Sequence, residues 1–192
     1  MRRAFIAISL APEIQDGLEA AVRSLEELGL SGRGVRRSAM HLTLKFLGNV
    51  GEDKLSAVVE TLSRLANGMP SFQVVLKKPD AFPHRKKARV VFASVQTSPA
   101  LLCLHSAIEA KLGALGLDRE SREYRAHLTL MRLKSPRHIS RLQNWFNREF
   151  KITGMSFVVD HFNRYQSVLK PDGAEYRVLE TFPLGNSPLP LS

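Results

Sequence analysis

The sequence predicts two α+β lobes, each an antiparallel sheet with helices on one face, related by an internal duplication. Three observations lead there. Hydrophobic periodicity runs strand, helix, strand, helix, strand, and then repeats that order. The tetrapeptide His41-Leu42-Thr43-Leu44 returns as His127-Leu128-Thr129-Leu130, 86 residues later in a chain of 192. No low-complexity segment or linker separates the halves, so residues 1–192 read as one domain with two lobes.

Residues 3–9 read as a short buried strand. Pro12 opens a helix in which Ile14, Leu18, Ala21, Val22, Leu25 and Leu28 keep helical spacing, and Gly29 to Gly34 stops it. Residues 40–47 alternate as a strand, and Glu52 to Leu65 return to helical spacing. Strands are expected at 71–77 and 88–95, around a basic loop from Pro79 to Lys87. Ser98-Pro99 starts a helix through Leu115. A strand at 126–133 and a helix at 137–149 follow. One long strand at 152–169 and another at 175–183 close the chain, joined by a turn at Pro171-Asp172-Gly173. The tail from Gly185 to Ser192 is expected to fray.

Composition narrows the function classes. Apolar residues make up 44% and charged residues 24%, as in a globular protein. No apolar run is long enough for a membrane helix. The net charge of +10 attracts polyanions such as nucleic acid or phosphorylated metabolites. The single cysteine, Cys103, has apolar neighbours and is expected to be buried. The opening Met1-Arg2-Arg3 and the apolar residues after it are a first strand rather than a signal peptide, because Pro12, Glu13 and Asp16 interrupt them early. A cytoplasmic location is therefore expected.

The repeated tetrapeptide carries the chemistry. In a strand, residues i and i+2 share a face, so His41 and Thr43 point one way while Leu42 and Leu44 point into the core; His127 and Thr129 repeat this. If the lobes face each other, two imidazoles and two hydroxyls meet in one cleft. Two histidines titrating near neutrality act as paired acid and base, and two hydroxyls donate to phosphate oxygens. Arg33, Arg36, Arg37 and Lys45 surround the first copy, and Arg119, Arg122, Arg125 and Arg132 the second. A zinc site is not expected, since neither His-x-Thr pair has a third metal ligand nearby. A single His-x-Thr would be better explained by structural hydrogen bonds; two copies at half-chain spacing in a basic protein favour a site.

At these residues the chain resembles the 2H phosphoesterases, specifically the bacterial and archaeal RNA 2′,3′-cyclic phosphodiesterases, also called 2′-5′ RNA ligases. Arg3 to Ile8 resembles their first strand, His41 to Gly48 and Tyr124 to Arg132 their two signatures, and Tyr165 to Tyr176 their C-terminal hairpin. Ala126 stands where the family usually has Pro. Val35-Arg36-Arg37 stands where it often has Trp, so a base-stacking contact is either missing or replaced by an Arg plane.

The resemblance implies a bilobal fold with pseudo-twofold symmetry, its two antiparallel sheets, with outer helices, facing each other across a central cleft. It implies hydrolysis of RNA 2′,3′-cyclic phosphate ends to 2′-phosphomonoesters without metal or cofactor, and a reverse, ATP-independent 2′-5′ ligation. His41 would be the proton donor and His127 the acceptor, with Thr43, Thr129 and Arg132 on the phosphate. Arg132 has the wrong parity for the cleft face in a regular strand, so the strand must end or bulge before it.

Phe5, Arg36, Lys45 and Arg85 are further candidates for RNA or base contacts. His84 lies in the basic loop, His105 on an apolar helix, and His138 and His161 have no pattern around them. Trp145 and Phe146 read as packing. The expected partner is RNA with a cyclic phosphate end, tRNA fragments among the candidates, bound by a monomer away from membranes. Two other readings compete: a non-catalytic RNA- or nucleotide-binding module, and a phosphodiesterase for a small cyclic nucleotide or ADP-ribose cyclic phosphate.

Overall fold

In the computed structural model, which describes residues 3–135, 139–170 and 173–185, the chain runs β1 (Arg3–Ile8), α1 (Pro12–Glu26), β2 (Gly32–Gly34), β3 (Leu42–Asn49), α2 (Glu52–Asn67), β4 (Phe72–Phe82), β5 (Val90–Val95), α3 (Pro99–Ala114), β6 (His127–Leu133), α4 (Ile139–Phe146), β7 (Ser156–Val159), β8 (His161–Lys170) and β9 (Gly173–Pro183). The strands form two antiparallel sheets, ordered β3-β1-β8-β9 and β2-β6-β5-β4-β7. Each sheet carries one copy of the repeated tetrapeptide. Among the described residues no helix is long and apolar enough to cross a membrane.

The lobes are not the two halves of the chain. β2 comes from the first half but pairs with β6, and β8 and β9 come from the second half but pair onto β1. The segment expected as one strand over 152–169 is two: β7 pairs with β4 in one sheet, and after Asp160 the chain enters the other as β8. The helices are exchanged as well. α1 packs on β2 and β6, while α2 packs on β9 and α3 on β3. Buried apolar side chains from both sheets form one continuous cluster.

Local signals explain the elements. α1 begins with Pro12 at its first turn and buries Ile14, Leu18, Ala21, Val22 and Leu25 on one face. The Ser98 hydroxyl caps α3, accepting from Leu101 N at 3.2 Å. α3 buries Leu101, Leu104, Ile108 and Leu112 completely. Cys103 falls between these positions on the outer face and is exposed, contrary to expectation. Its apolar neighbours in sequence are not its neighbours on the helix. Trp145 is fully buried, as expected of a packing residue, and its indole N–H donates to Ser24 Oγ at 2.9 Å.

β2 is a strand through its pairing with β6, and glycine lets it also lie against a helix. A Cβ on Gly34 would fall 2.6 Å from Val22 Cγ1 of α1. In the closing hairpin Lys170 pairs with Gly173. The first two residues of the expected turn, Pro171 and Asp172, lie outside the described residues, as do His138 and the tail after Gly185.

Candidate active site

The two motifs match in burial over seven positions, from His41 to Leu47 and from His127 to Leu133: a half-buried His, a buried Leu, a half-buried Thr, two buried residues, an exposed residue and a buried one. The pairing register explains the match. Ala7 pairs with Thr43 but Ile6 pairs with Lys45, leaving Leu44 as an extra residue. Phe92 pairs with Thr129 but Val91 pairs with Met131, leaving Leu130 extra. Each strand therefore has a β-bulge directly after its His-x-Thr, which reverses the alternation. The bulge delivers Phe46 in one lobe and Arg132 in the other to the face that holds the histidines and threonines. The parity problem noted for Arg132 is resolved in this way.

His41, Thr43, His127, Thr129, Phe46 and Arg132 all line one cleft of about 800 Å³. Each imidazole is held by the same device. His41 Nδ1 lies 2.9 Å from the Ala39 carbonyl, and His127 Nδ1 lies 2.7 Å from the Arg125 carbonyl, each two residues back. A carbonyl only accepts, so Nδ1 carries the hydrogen. Nε2 is left as the nitrogen free to give or take a proton. Aromatic rings pack behind each: Phe5 and Tyr176 around His41 at 4.7 and 5.0 Å, Phe82 and Phe92 around His127 at 5.0 and 5.3 Å. Neither threonine hydroxyl has a protein hydrogen-bond partner among the described residues.

The cleft is cationic. Arg33 on β2 and Arg132 on β6 are paired across neighbouring strands, and both line it, as does Arg36. Burial is the main influence on the imidazoles. It lowers His41 to about 4 against the pull of the Ala39 carbonyl, with the Arg132 charge pushing the same way as burial. His127 is lowered for the same main reason.

Both histidines are therefore neutral at pH 7 when the cleft is empty. A bound phosphate anion favours the imidazolium and raises both. The structure thus displaces the acid–base pair from neutrality in the free protein. We expect a bell-shaped kcat/KM profile centred on the acid side of pH 6.5, and a kcat profile lying at higher pH, because kcat reports the complex. A kcat/KM maximum above pH 7 contradicts this.

The sequence of residues 11–167 matches the model of the 2′-5′ RNA ligase superfamily. The chain belongs to that superfamily. Over 92% of its length it is 31% identical to a Thermotoga maritima protein named RNA 2′,3′-cyclic phosphodiesterase, covering 92% of that protein. Over 94% it is 31% identical to an Archaeoglobus fulgidus protein of the same name, covering 99% of it. Among solved structures, a Thermus thermophilus protein superposes with a TM-score of 0.80 at 27% identity, covering 96% of this chain and all of that one. E. coli LigT complexed with 3′-AMP superposes at 0.76 with 25% identity, covering 95% and 98% of the two chains.

Within this superfamily fold, three candidates from the sequence take other places. Lys45 shares parity with His41, but the bulge turns it inward. It is 4% exposed and donates to Glu109 Oε2 at 2.7 Å and to the Asp118 carbonyl at 2.6 Å. It anchors the segment after α3 and is absent from the wall of the cleft. Removing one partner of a buried ion pair leaves the other charge stranded. Lys45→Ala should lower unfolding stability by about 3 kcal/mol, read by urea denaturation, and Lys45→Ala/Glu109→Gln should recover part of the loss.

Arg85 donates to Asp80 at 3.0 Å and to the Pro79 carbonyl, lies over the Phe146 ring at 4.7 Å, and is absent from the cleft wall. Phe5 lines the cleft but is 3% exposed and stacked on Tyr165 at 5.2 Å, so it supports His41 and offers no face to a base. Arg37, counted among the basic residues near the first motif, is turned away to Asp16.

The residue the sequence reading missed is Phe46. Its ring is 71% exposed and stands in the cleft. It lies 86 residues before Arg132, so the repeat spacing pointed to it. His105 stacks on Tyr124 at 3.9 Å. His161, with no sequence pattern, hydrogen-bonds Ser9 Oγ at 2.8 Å and Asp160 at 2.5 Å.

Proposed function

We propose that this protein hydrolyses the 2′,3′-cyclic phosphate at the end of an RNA chain to a 2′-phosphomonoester, without a metal ion, and that residues 1–192 act as one catalytic unit. The observation that carries this reading is the pair of bulged His-x-Thr strands presenting two Nε2 atoms, two threonine hydroxyls without a protein partner among the described residues and the Arg132 guanidinium to a single cationic cleft. The curated relatives are named for this activity. Among the described residues no three His, Cys, Asp or Glu side chains are grouped to hold a metal ion.

In the proposed step His127 Nε2 takes a proton from water, whose oxygen attacks phosphorus. The bond from phosphorus to the ribose 3′-oxygen breaks, and its electron pair goes to that oxygen. His41 enters this step as the imidazolium that the bound phosphate anion favours, and its Nε2–H supplies the proton that makes the 3′-oxygen a hydroxyl. Thr43, Thr129 and Arg132 hold the non-bridging oxygens as charge grows on them. Phe46 offers the terminal base a ring to stack on. A 5′-hydroxyl in place of water gives a 2′-5′ phosphodiester by the same proton transfers, which is the ligation direction, and no ATP enters because the cyclic phosphate is the activated group.

The test is a substrate comparison. Wild-type protein should turn over an oligoribonucleotide ending in 2′,3′-cyclic phosphate faster than ADP-ribose cyclic phosphate, and should leave a linear 3′-phosphate untouched. Binding of the cyclic end without turnover would make this a binding module; preference for the ADP-ribose compound would overturn the RNA reading.

A further inference from the structure

A second cavity, of about 910 Å³, opens beside the cleft, and the two share Thr43, Phe46, Phe82 and His127. It is an arm leading off the reacting centre. Its outer wall is the segment between α3 and β6, which is fastened to the first lobe from within. Lys45 holds the Asp118 carbonyl, Glu109 accepts from Glu120 N, and the Tyr124 hydroxyl donates to the Thr43 carbonyl at 3.0 Å. The arm is thus already shaped before a ligand arrives.

Its charges are of two kinds. Some are satisfied inside the protein: Glu109 by Lys45, and Glu120 by Arg122. The Arg89 side chain, by contrast, is exposed and makes no hydrogen bond, ion pair or ring contact among the described residues. The Arg125 guanidinium lies over the Phe82 ring at 4.8 Å, at the junction with the cleft, and meets no carboxylate among them. Asp118 and Glu123 add carboxylates that make no ion pair among the described residues. Guanidiniums suit a phosphodiester, and carboxylates accept from the amino and imino edges of bases. A ligand that uses both is a nucleotide within a chain, in preference to a free polyphosphate.

The chemistry of the substrate gives the direction. A 2′,3′-cyclic phosphate occupies both lower oxygens of the terminal ribose, so the chain leaves only through its 5′-oxygen. We propose that the arm binds the nucleotide immediately 5′ of the terminal one, with the joining phosphodiester held by Arg89 and Arg125. This rests on the reading of the cleft as the site of an RNA cyclic phosphate end.

Arg89→Gln tests it, with Arg89→Lys as the variant that keeps the charge. Turnover is measured on a 2′,3′-cyclic mononucleotide and on a trinucleotide ending in the same group. Arg89→Gln should lower kcat/KM about fivefold on the trinucleotide and leave the mononucleotide unchanged. In parallel, binding of a fluorescent trinucleotide ending in 3′-phosphate is followed against salt. The log–log slope should fall in magnitude by about 0.7 in Arg89→Gln, the share of one phosphate contact on a single strand, and be kept in Arg89→Lys. Equal losses on both substrates, or an unchanged slope, overturn the proposal. If wild-type protein turns over neither substrate, the reading of the reaction fails, and the salt slope alone decides whether the arm binds RNA.

Discussion

His127→Ala and His41→Ala are each expected to lower kcat/KM on an RNA cyclic phosphate end by about 10²- to 10⁴-fold, the usual worth of a positioned acid or base. The two losses differ in kind. The base acts on water, whose acidity is the same for every substrate. The acid acts on the departing oxygen, and its help is redundant when that oxygen leaves readily as an anion. On a phosphodiester with a nitrophenyl leaving group, His41→Ala should therefore recover much of its loss and His127→Ala should not. The opposite pattern would exchange the two roles, and equal rescue would remove both assignments. His41 and His127 rest on equivalent backbone carbonyls, each two residues back, so the rescue experiment is what distinguishes their roles.

Thr43→Val and Thr129→Val should each slow turnover by about 10²- to 10³-fold, as loss of one donor to a developing oxyanion does. Valine keeps the β-branched shape that suits the strand. Each hydroxyl lacks a protein partner among the described residues, so removal strands no other group. The expected signature is a fall in kcat with an unfolding midpoint within a degree or two of wild type. Thr→Ser at either position should restore most of the rate. A wild-type rate in either valine variant would remove that residue from the phosphate site.

The histidines and threonines were legible because a strand has period two and the pattern occurs twice. Arg132 was legible for a subtler reason: its parity was wrong for a regular strand, and the bulge at Leu130 corrects it. The same reasoning carried over to the first motif, where Leu44 is the extra residue, turns Lys45 inward and brings out Phe46. A basic residue beside a motif looks like a nucleic-acid contact in sequence, yet Lys45 and Arg85 have carboxylate partners 64 and 5 residues away along the chain.

Helix positions were legible from periodicity, but the sheet each helix covers was not. An apolar face on α1 states that it packs, and only the tertiary structure shows that it packs on β6 rather than on the sheet of its own neighbour β1. β2 was missed because Gly32-Arg33-Gly34 has no hydrophobic alternation and is a strand only through its pairing with β6. The switch of sheets after Asp160 was missed because a single Asp between two apolar stretches reads as easily as an outward-facing strand residue as a break.

Two histidines acting without a metal form the central claim, and the product of a single incubation tests it most directly. Protein treated with EDTA is mixed with an oligoribonucleotide ending in 2′,3′-cyclic phosphate, and the end group formed is identified. The account predicts undiminished turnover to a 2′-phosphate beside a free 3′-hydroxyl. Turnover that appears only when a divalent metal is restored, or a product carrying the phosphate on the 3′-oxygen, would contradict it.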